Sequence, residues 1–260
     1  MEASEGSFPT PDATSLESPK PHGMRRLELS GKKRIMKKQD VTIAAMYDLQ
    51  YTEAGAIFDG LTYPWEALSK IHDFIAAYGP TLPKDEYDEV KPHVWIHKSA
   101  TVFESAYLAE YIIIGPETEV RQCAFLRGNI MVGKHCVIGN SCELKNVVIF
   151  DNVQVPHYNY VGDSILGYKS HMGAASLTSN VKSDKKLVVV HTEDGDIETG
   201  LKKFGAMLSD HVEVGCGSIL NPGTVIGRNT NIYPLSSVRG CVDADSIYKS
   251  KGEVEIVAKH

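Results

Sequence analysis

A six-residue periodicity runs through two long stretches of this 260-residue chain. From residue 94 onward an aliphatic or aromatic residue recurs at every sixth position, often followed by glycine and, four positions after it, by a small residue. A period of six matches neither a helix nor a simple strand, and it is typical of a parallel β-helix of hexapeptide repeats. The period is carried by Ile96, Val102, Leu108, Ile114, Val120, Leu126, Val132, Ile138, Leu144 and Phe150, and again by Leu208, Val214, Leu220, Ile226, Ile232 and Val238.

Each hexapeptide predicts one short strand and one turn, with the aliphatic residue directed into a narrow core and the glycine permitting a tight corner. Three hexapeptides complete one coil of a triangular prism, and successive coils stack about 4.8 Å apart, as paired strands do. Cys136 and Cys142 stand at the small inward position, so we interpret them as buried packing residues. We therefore predict an all-β solenoid with neither a disulfide framework nor a structural zinc.

Two departures interrupt the repeat. The spacing falls to five around Pro156, Val161 and Leu166, and residues 181–201 leave the pattern altogether. Within that insertion, 187–191 predict a strand and 193–196 a turn, so we expect a β-hairpin that projects from the prism. Functional sites often lie where a repeat is broken.

A small helical cap is expected before the repeat. Pro64 begins an apolar stripe at helical spacing, from Trp65 to Tyr78, and Thr52 marks the start of a shorter helix. We interpret the stripe as a packing face against the prism. The predicted domains are a disordered leader at 1–38, the helical cap at 39–92, the β-helix at 93–243 with its insertion at 181–201, and a C-terminal tail at 244–260.

The charge of the chain disfavours several partners. A formal net charge of −6 argues against nucleic acid or an acidic membrane as the main partner. The chain contains no apolar stretch long enough to span a bilayer, and its early acidic residues argue against a signal or transit peptide, so we expect a cytoplasmic protein. A basic run from Arg25 to Lys38 lacks interleaved aromatic residues, and we interpret it as part of a solvated leader rather than a nucleic-acid tail.

Arg127 and Lys145 each follow an inward leucine and are eighteen residues apart (145 − 127), so they occupy the same position on successive coils. Two cations stacked about 5 Å apart repel each other unless an anion lies between them. A phosphate is the natural candidate, because arginine binds it with a fork and lysine as a point charge. The alternative is that the two side chains splay into solvent or pair with Glu143.

His157 lies in the irregular part of the repeat, and its imidazole suits proton removal from an amine or a hydroxyl near neutral pH. A single histidine can equally be an ordinary surface residue. The sequence contains no nucleophile elbow, P-loop or dinucleotide fingerprint, which leaves hydrolase, NTPase and Rossmann functions without support.

The segment 137–145, the run from His157 through Tyr160 to Asp163, and the stretch 172–176 resemble one family. It is the acetyltransferase domain of the bifunctional N-acetylglucosamine-1-phosphate uridyltransferase/glucosamine-1-phosphate acetyltransferase. Residues 198–206 more closely resemble the archaeal-type sugar-phosphate nucleotidyltransferases with the same β-helix. The resemblance covers about residues 94–242. It implies left-handed coiling, a homotrimer, and transfer of acetyl from acetyl-CoA to a hexosamine 1-phosphate, without a metal, in UDP-N-acetylglucosamine biosynthesis.

The resemblance also implies roles for single residues. His157 would be the general base for the sugar amine, and Arg127 and Lys145 would bind the sugar phosphate. It implies further substrate-binding residues at Tyr160, His171, Asn180 and Lys203, and a coenzyme A site lined by Ala174, Cys216 and Pro234. His171 replaces an asparagine of the family, and Pro234 lacks a backbone donor.

Residues 1–90 are too short for the family's uridyltransferase half and contain no Gly-rich phosphate loop, so we do not expect nucleotidyl transfer. Two alternatives stay open. One is a non-catalytic sugar-nucleotide-binding or scaffold subunit of a separate nucleotidyltransferase, which the combined presence of the four residues Arg127, Lys145, His157 and Lys203 disfavours. The other is an acyltransferase for a different amino-sugar acceptor, such as galactosamine 1-phosphate or a nucleotide-linked amino sugar, which His171 favours.

Overall fold

A computed structural model of the protein describes residues 36–249. They form a parallel β-solenoid preceded by short helices, so the predicted fold class is confirmed. Most of the predicted leader and the end of the predicted tail, at 1–35 and 250–260, lie outside the described residues. No helix among residues 36–249 is long and apolar enough to cross a bilayer.

Three rows of short parallel strands form the faces of the prism. The first face consists of Tyr107–Leu108, Phe125–Leu126, the start of Glu143–Ile149, the start of Tyr160–Leu166, Leu177–Thr178, Ile219–Leu220 and Ser237–Val238. The second face consists of Val94–His97, Ile112–Ile114, Ile130–Val132, the ends of Glu143–Ile149 and Tyr160–Leu166, Ala206–Leu208, Thr224–Ile226 and Cys241–Val242. The third face consists of Thr101–Val102, Glu119–Val120, Val137–Asn140, Gln154–His157, His171–Met172, Glu213–Val214, Asn231–Ile232 and Ile247–Tyr248.

The N-terminal helices pack on the second face, whose strands are buried on both sides. The α-helices are α1, Ile43–Met46, and α2, Ile71–Tyr78. The 3₁₀-helices are Lys38–Val41, Leu49–Tyr51, Gly55–Phe58, Pro64–Ser69 and Gly79–Thr81. A strand, Tyr87–Lys91, then pairs antiparallel with the first strand of the solenoid, Val94–His97.

The predicted apolar stripe is buried as a packing face, with Trp65 at 1% and Ile71 at 0% exposure. It is not one helix, because the 3₁₀-helix from Pro64 ends before Lys70 and α2 begins after it. The helix expected to start at Thr52 begins three residues later, since the Thr52 hydroxyl accepts a hydrogen bond from the Ala54 backbone and forms a turn first.

Left-handed residues, rather than the glycines of the repeat, form the corners of the prism. Asn129, Ser141 and Asn152 have φ angles of 55°, 55° and 59°, and equivalent positions on other coils are also left-handed. A Cβ atom on Gly133 would lie 2.4 Å from a side-chain oxygen of Asp151 on the next coil. The expectation that these glycines permit the corners is therefore wrong. They allow adjacent coils to approach each other closely.

Two coils near the middle of the solenoid have seventeen residues instead of eighteen. Val132 pairs with Ile149, and Ile149 pairs with Leu166 on the next coil. The inward residue after Leu144 is thus Ile149 and not the predicted Phe150, because the corner between the first and second faces takes up one residue fewer.

The five-residue steps lie at 144–149 and 161–166, so the step predicted at 161–166 is present and the one predicted at 156–161 is displaced to 144–149. Val155 is the inward residue next to Pro156, at 0% exposure, and it pairs with Ile138. Phe150 is fully buried for a different reason, since its ring lies 5.2 Å from that of Tyr47 in the helical region.

The insertion forms the predicted hairpin, from the antiparallel strands Val189–Thr192 and Gly195–Glu198. It does not project freely. Val188 and Val190 are buried at 1% exposure, and the backbone amide of Glu193 donates to the carbonyl of Met36. The apolar side of the hairpin therefore packs against the body of the protein.

The cysteines of the repeat are buried as predicted, with Cys136 at 1% and Cys142 at 0% exposure. Burial raises the pKa of the Cys136 thiol to about 12 and also raises the pKa of Cys142. Both therefore act as small core residues.

Candidate functional site

Arg127 and Lys145 lie on adjacent coils of the first face, as their spacing predicts. The backbone amide of Arg127 donates to the carbonyl of Leu144 at 2.9 Å, and both cationic side chains line one cavity of about 420 Å³. Their repulsion is relieved by carboxylates: Arg127 Nη1 lies 2.7 Å from Glu143, and Lys145 Nζ lies 3.0 Å from Asp163. Arg127 therefore forms the ion pair with Glu143 that the alternative interpretation predicts. Phosphate binding stays a prediction.

Asp163 bonds two of the predicted substrate-binding residues directly and a third, Tyr160, through Asn180, although sequence reasoning gave it no site role. Its side chain is 5% exposed, its φ is 47°, and it accepts hydrogen bonds from Lys145, Asn146 and Asn180. The Asn180 amide lies 3.2 Å from the hydroxyl of Tyr160. The strand partner of Lys145 is Gly162, one residue before Asp163, because this coil has seventeen residues, so the regular eighteen-residue spacing does not account for this contact.

Tyr160 is a neutral hydroxyl at the edge of this cluster. Burial, followed by the negative charges of Asp163 and Glu143, raises the pKa of the phenol. The hydroxyl is therefore available as a hydrogen-bond donor at physiological pH.

Lys91 is a third cation in the same cavity, and the repeat pattern does not reveal it. It comes from the antiparallel strand before the solenoid, where the register shifts between Glu89 and Lys91. Its ammonium donates to the carbonyl of Leu108 and lies 5.3 Å from the centre of the Tyr107 ring. A register shift of this kind redirects a side chain, here toward the cavity.

A second cavity, of about 440 Å³, lies on the third face and brings four predicted residues together. His157, His171, Ala174 and Cys216 line it. We call it the histidine groove. His157 Nδ1 lies 3.2 Å from the amide oxygen of Asn140, and His171 Nδ1 lies 2.8 Å from a carboxylate oxygen of Glu213. The groove thus presents two imidazoles on one surface.

Ala174, Cys216 and Pro234 form one row along the corner between the third and first faces. The amide of Gly217 donates to the carbonyl of Ala174, and that of Leu235 donates to the carbonyl of Cys216. Three residues predicted to contact coenzyme A therefore stack on successive coils. Their role in binding it stays a prediction.

The corner at residues 158–159 joins the two clusters. Asn159 is 2% exposed; its side chain accepts from the backbone amide of His157 and donates to the carbonyls of Gly173 and Ser176. His157 and Tyr160 flank this corner from the third and the first face. Their relative position is fixed by buried hydrogen bonds.

Lys203 lies beside the Asp163 cluster in sequence and space, since the backbone amide of Phe204 donates to the carbonyl of Asn180 and that of Gly205 to the carbonyl of Asp163. It is exposed at the end of the insertion, and no hydrogen bond or ion pair involves it within residues 36–249. The same range contains no group of three or more His, Cys, Asp or Glu side chains arranged to hold a metal ion.

A family model described as the GMPPB C-terminal domain matches residues 108–201. "Bifunctional protein GlmU" of Methanococcus maripaludis (strain C5) is 32% identical over 136 residues, which is 52% of this chain and 33% of that protein. The "Bifunctional sugar-1-phosphate nucleotidylyltransferase/acetyltransferase" of Sulfurisphaera tokodaii is 31% identical over 161 residues, 62% of this chain and 40% of that protein.

A hexapeptide transferase family protein from Anaplasma phagocytophilum has a solved structure with 15% identity and a TM-score of 0.34, over 59% of this chain and 73% of that one. The resemblance stated from the sequence is confirmed by the relatives. The chain spans about a third to two fifths of the length of the two curated relatives described above.

Proposed function

We propose that this protein is an N-acetyltransferase that moves an acetyl group from acetyl-CoA to the amine of a hexosamine 1-phosphate. The observation that carries the proposal is the buried corner at Asn159, which holds the His157 imidazole and the Tyr160–Lys145 cluster on adjoining faces. One small acceptor can then meet cations at its phosphate and a base at its amine. The names of the relatives, which include an acetyltransferase activity, agree with this chemistry.

In this reaction His157 acts as the base. Its Nδ1 faces an amide oxygen of Asn140, which can only accept, so Nδ1 carries the proton and Nε2 keeps its lone pair. Nε2 removes a proton from the nitrogen as the amine attacks the thioester carbonyl. Backbone donors facing the developing oxyanion stabilise the tetrahedral intermediate.

Acetyl-CoA would lie along the row formed by Ala174, Cys216 and Pro234. This row is made of small or flat side chains on successive coils, which leaves room for an extended ligand beside the histidine groove. Pro234 offers contact but no backbone N–H, so hydrogen bonds to the ligand must come from its neighbours. We retain the cytoplasmic location as a prediction.

The test is thiol release from acetyl-CoA across a panel of acceptors. The panel contains glucosamine 1-phosphate, galactosamine 1-phosphate, a nucleotide-linked amino sugar, and glucosamine without phosphate. We expect a hexosamine 1-phosphate to be at least about tenfold better than the free hexosamine, because hydrogen bonds between charged groups contribute about 1.5–3 kcal/mol each. Absence of thiol release with every acceptor would contradict the function, and preference for the nucleotide-linked sugar would correct the acceptor.

Replacing Arg127 by alanine is expected to raise the acceptor KM by roughly 10- to 100-fold, because one charge-assisted bond to the phosphate is lost. The KM for acetyl-CoA should stay the same. Arg239 provides a matched control, since it also follows an inward residue on the first face and its guanidinium contacts only the Asn221 amide among the described residues. If Arg127→Ala and Arg239→Ala raise the acceptor KM equally in steady-state kinetics, no specific phosphate site exists at Arg127.

We further propose a homotrimer in which Lys203 reaches the site of a neighbouring subunit. Light scattering should give about three times 28.5 kDa. A complementation experiment tests the shared site: Lys203→Ala and His157→Ala variants, each impaired alone, should recover activity when co-assembled. A monomeric particle, or mixed trimers without recovery, would overturn the shared site.

A further inference from the structure

The histidine groove contains a second imidazole that is held by a carboxylate. His171 and Glu213 are paired residues on adjacent coils of the third face, and His171 Nδ1 lies 2.8 Å from Glu213 Oε2. Their side chains are 37% and 51% exposed. A carboxylate only accepts, so the proton lies on Nδ1 and the lone pair of Nε2 remains available. This is the arrangement of a base oriented by an acid residue.

The two imidazoles of the groove have different surroundings. His157 contacts the neutral amide of Asn140, whereas His171 contacts a negative charge. The Glu213 carboxylate fixes the Nδ1–H tautomer of His171 and orients its ring on the groove surface. The other charged groups lining the cavities around His171 are Lys169 and Arg121, and Arg121 lies 2.8 Å from Glu119.

Amide formation from an ammonium group requires two proton removals. The nitrogen loses one proton before it can attack and a second as the tetrahedral adduct collapses. The C–N bond forms, the C–S bond breaks, one proton ends on the departing thiolate, and the other reaches solvent. A single imidazole cannot hold both protons at once, so a site with two bases suits this nucleophile.

We propose that His171, oriented by Glu213, takes the first proton from the ammonium of the acceptor, and that His157 takes the second. The assignment rests on the proposed function. It makes His171 a catalytic residue rather than only a substrate-binding one, and it makes Glu213 a positioning residue. The negative charge of Glu213 attracts the ammonium, which assigns the first removal to His171, whereas His157 beside the neutral Asn140 amide serves the adduct.

The first experiment compares His171→Asn and His157→Ala at pH 6.5 and pH 9. Amines of the α-amino type have a pKa of about 7.7–8.0, so at pH 9 the acceptor arrives unprotonated and needs only the second removal. His171→Asn should lower kcat/KM by about 15- to 30-fold at pH 6.5, where only the unprotonated fraction of the acceptor still reacts, and by less than about threefold at pH 9. His157→Ala should be impaired at both. If His171→Asn lowers kcat/KM equally at the two pH values, His171 is a binding residue and the proposal is overturned.

The second experiment determines the tautomer of the His171 ring by NMR in the full chain. Glu213→Ala should release the ring from the Nδ1–H tautomer and lower kcat, because the acceptor that fixes this tautomer is lost. Asp196→Ala is the matched control, because His191 and Asp196 form a similar pair at 2.7 Å on the hairpin, away from the groove. An unchanged His171 tautomer in Glu213→Ala overturns the pair. Wild-type protein without thiol release overturns the proposed function, and this assignment with it.

Discussion

Replacing His157 by alanine is expected to lower kcat by roughly 10²–10⁴ while leaving the affinity for acetyl-CoA unchanged. The loss has this size because the imidazole that accepts a proton in the transition state disappears. The row formed by Ala174, Cys216 and Pro234 keeps its backbone, which is bonded between coils and does not depend on the His157 side chain. The effect should therefore fall on turnover and not on binding of the acetyl donor.

Pre-steady-state acetyl transfer and a separate titration of coenzyme A binding measure the two quantities independently. His135→Ala is the control, because His135 is an exposed histidine at another corner of the prism, between the second and third faces. Near-normal turnover of His157→Ala on the best acceptor would place the base elsewhere.

A second large effect is expected on stability, from Gly139→Ala. A Cβ atom at Gly139 would lie 1.5 Å from the carbonyl oxygen of Pro156, a backbone atom that cannot rotate away. The coils would have to separate beneath the histidine groove. We expect a loss of about 3 kcal/mol or more in the free energy of unfolding, and a fall in Tm of roughly 6–12 °C for a chain of this size.

Gly55→Ala is the matched control for this prediction. The nearest atom to a Cβ at Gly55 is 3.9 Å away, and Gly55 does not have a positive φ. Its Tm should change little or rise slightly, since alanine restricts the unfolded chain. Equal melting temperatures for the two variants and the wild type would show that the coils can spread at no cost.

The periodic pattern predicts the core wherever each coil has eighteen residues. Leu126, Val132, Ile138 and Leu144 are all buried at the expected positions. It errs at Phe150 because a seventeen-residue coil moves the inward position to Ile149, and both residues are apolar and buried. A hydrophobic pattern cannot distinguish a residue inside the prism from one beneath the helical cap.

The candidate site was predictable to the extent that it depends on spacing within regular coils. The adjacency of Arg127 and Lys145 follows from eighteen residues, and the structure shows it. The pair of His171 and Glu213 could not be found in this way, because the insertion separates two residues that are neighbours on adjacent coils. Lys91 was missed because it comes from outside the repeat, on a strand whose register shift depends on tertiary pairing.

In the proposed homotrimer, the helices that cover the second face would also limit how three copies can close into a ring. Within residues 36–249 no helix packs on the first and third faces, and these faces meet at the corner that carries Tyr158. A ring with three-fold symmetry then joins unlike surfaces, the first face of one copy and the third face of the next, in a heterologous contact that closes after three steps. The three contacts would be identical, and each would hold its own site. A defect on the face of one copy would then inactivate one contact and leave the other two active. Mixed rings should therefore lose activity in proportion to the fraction of defective copies.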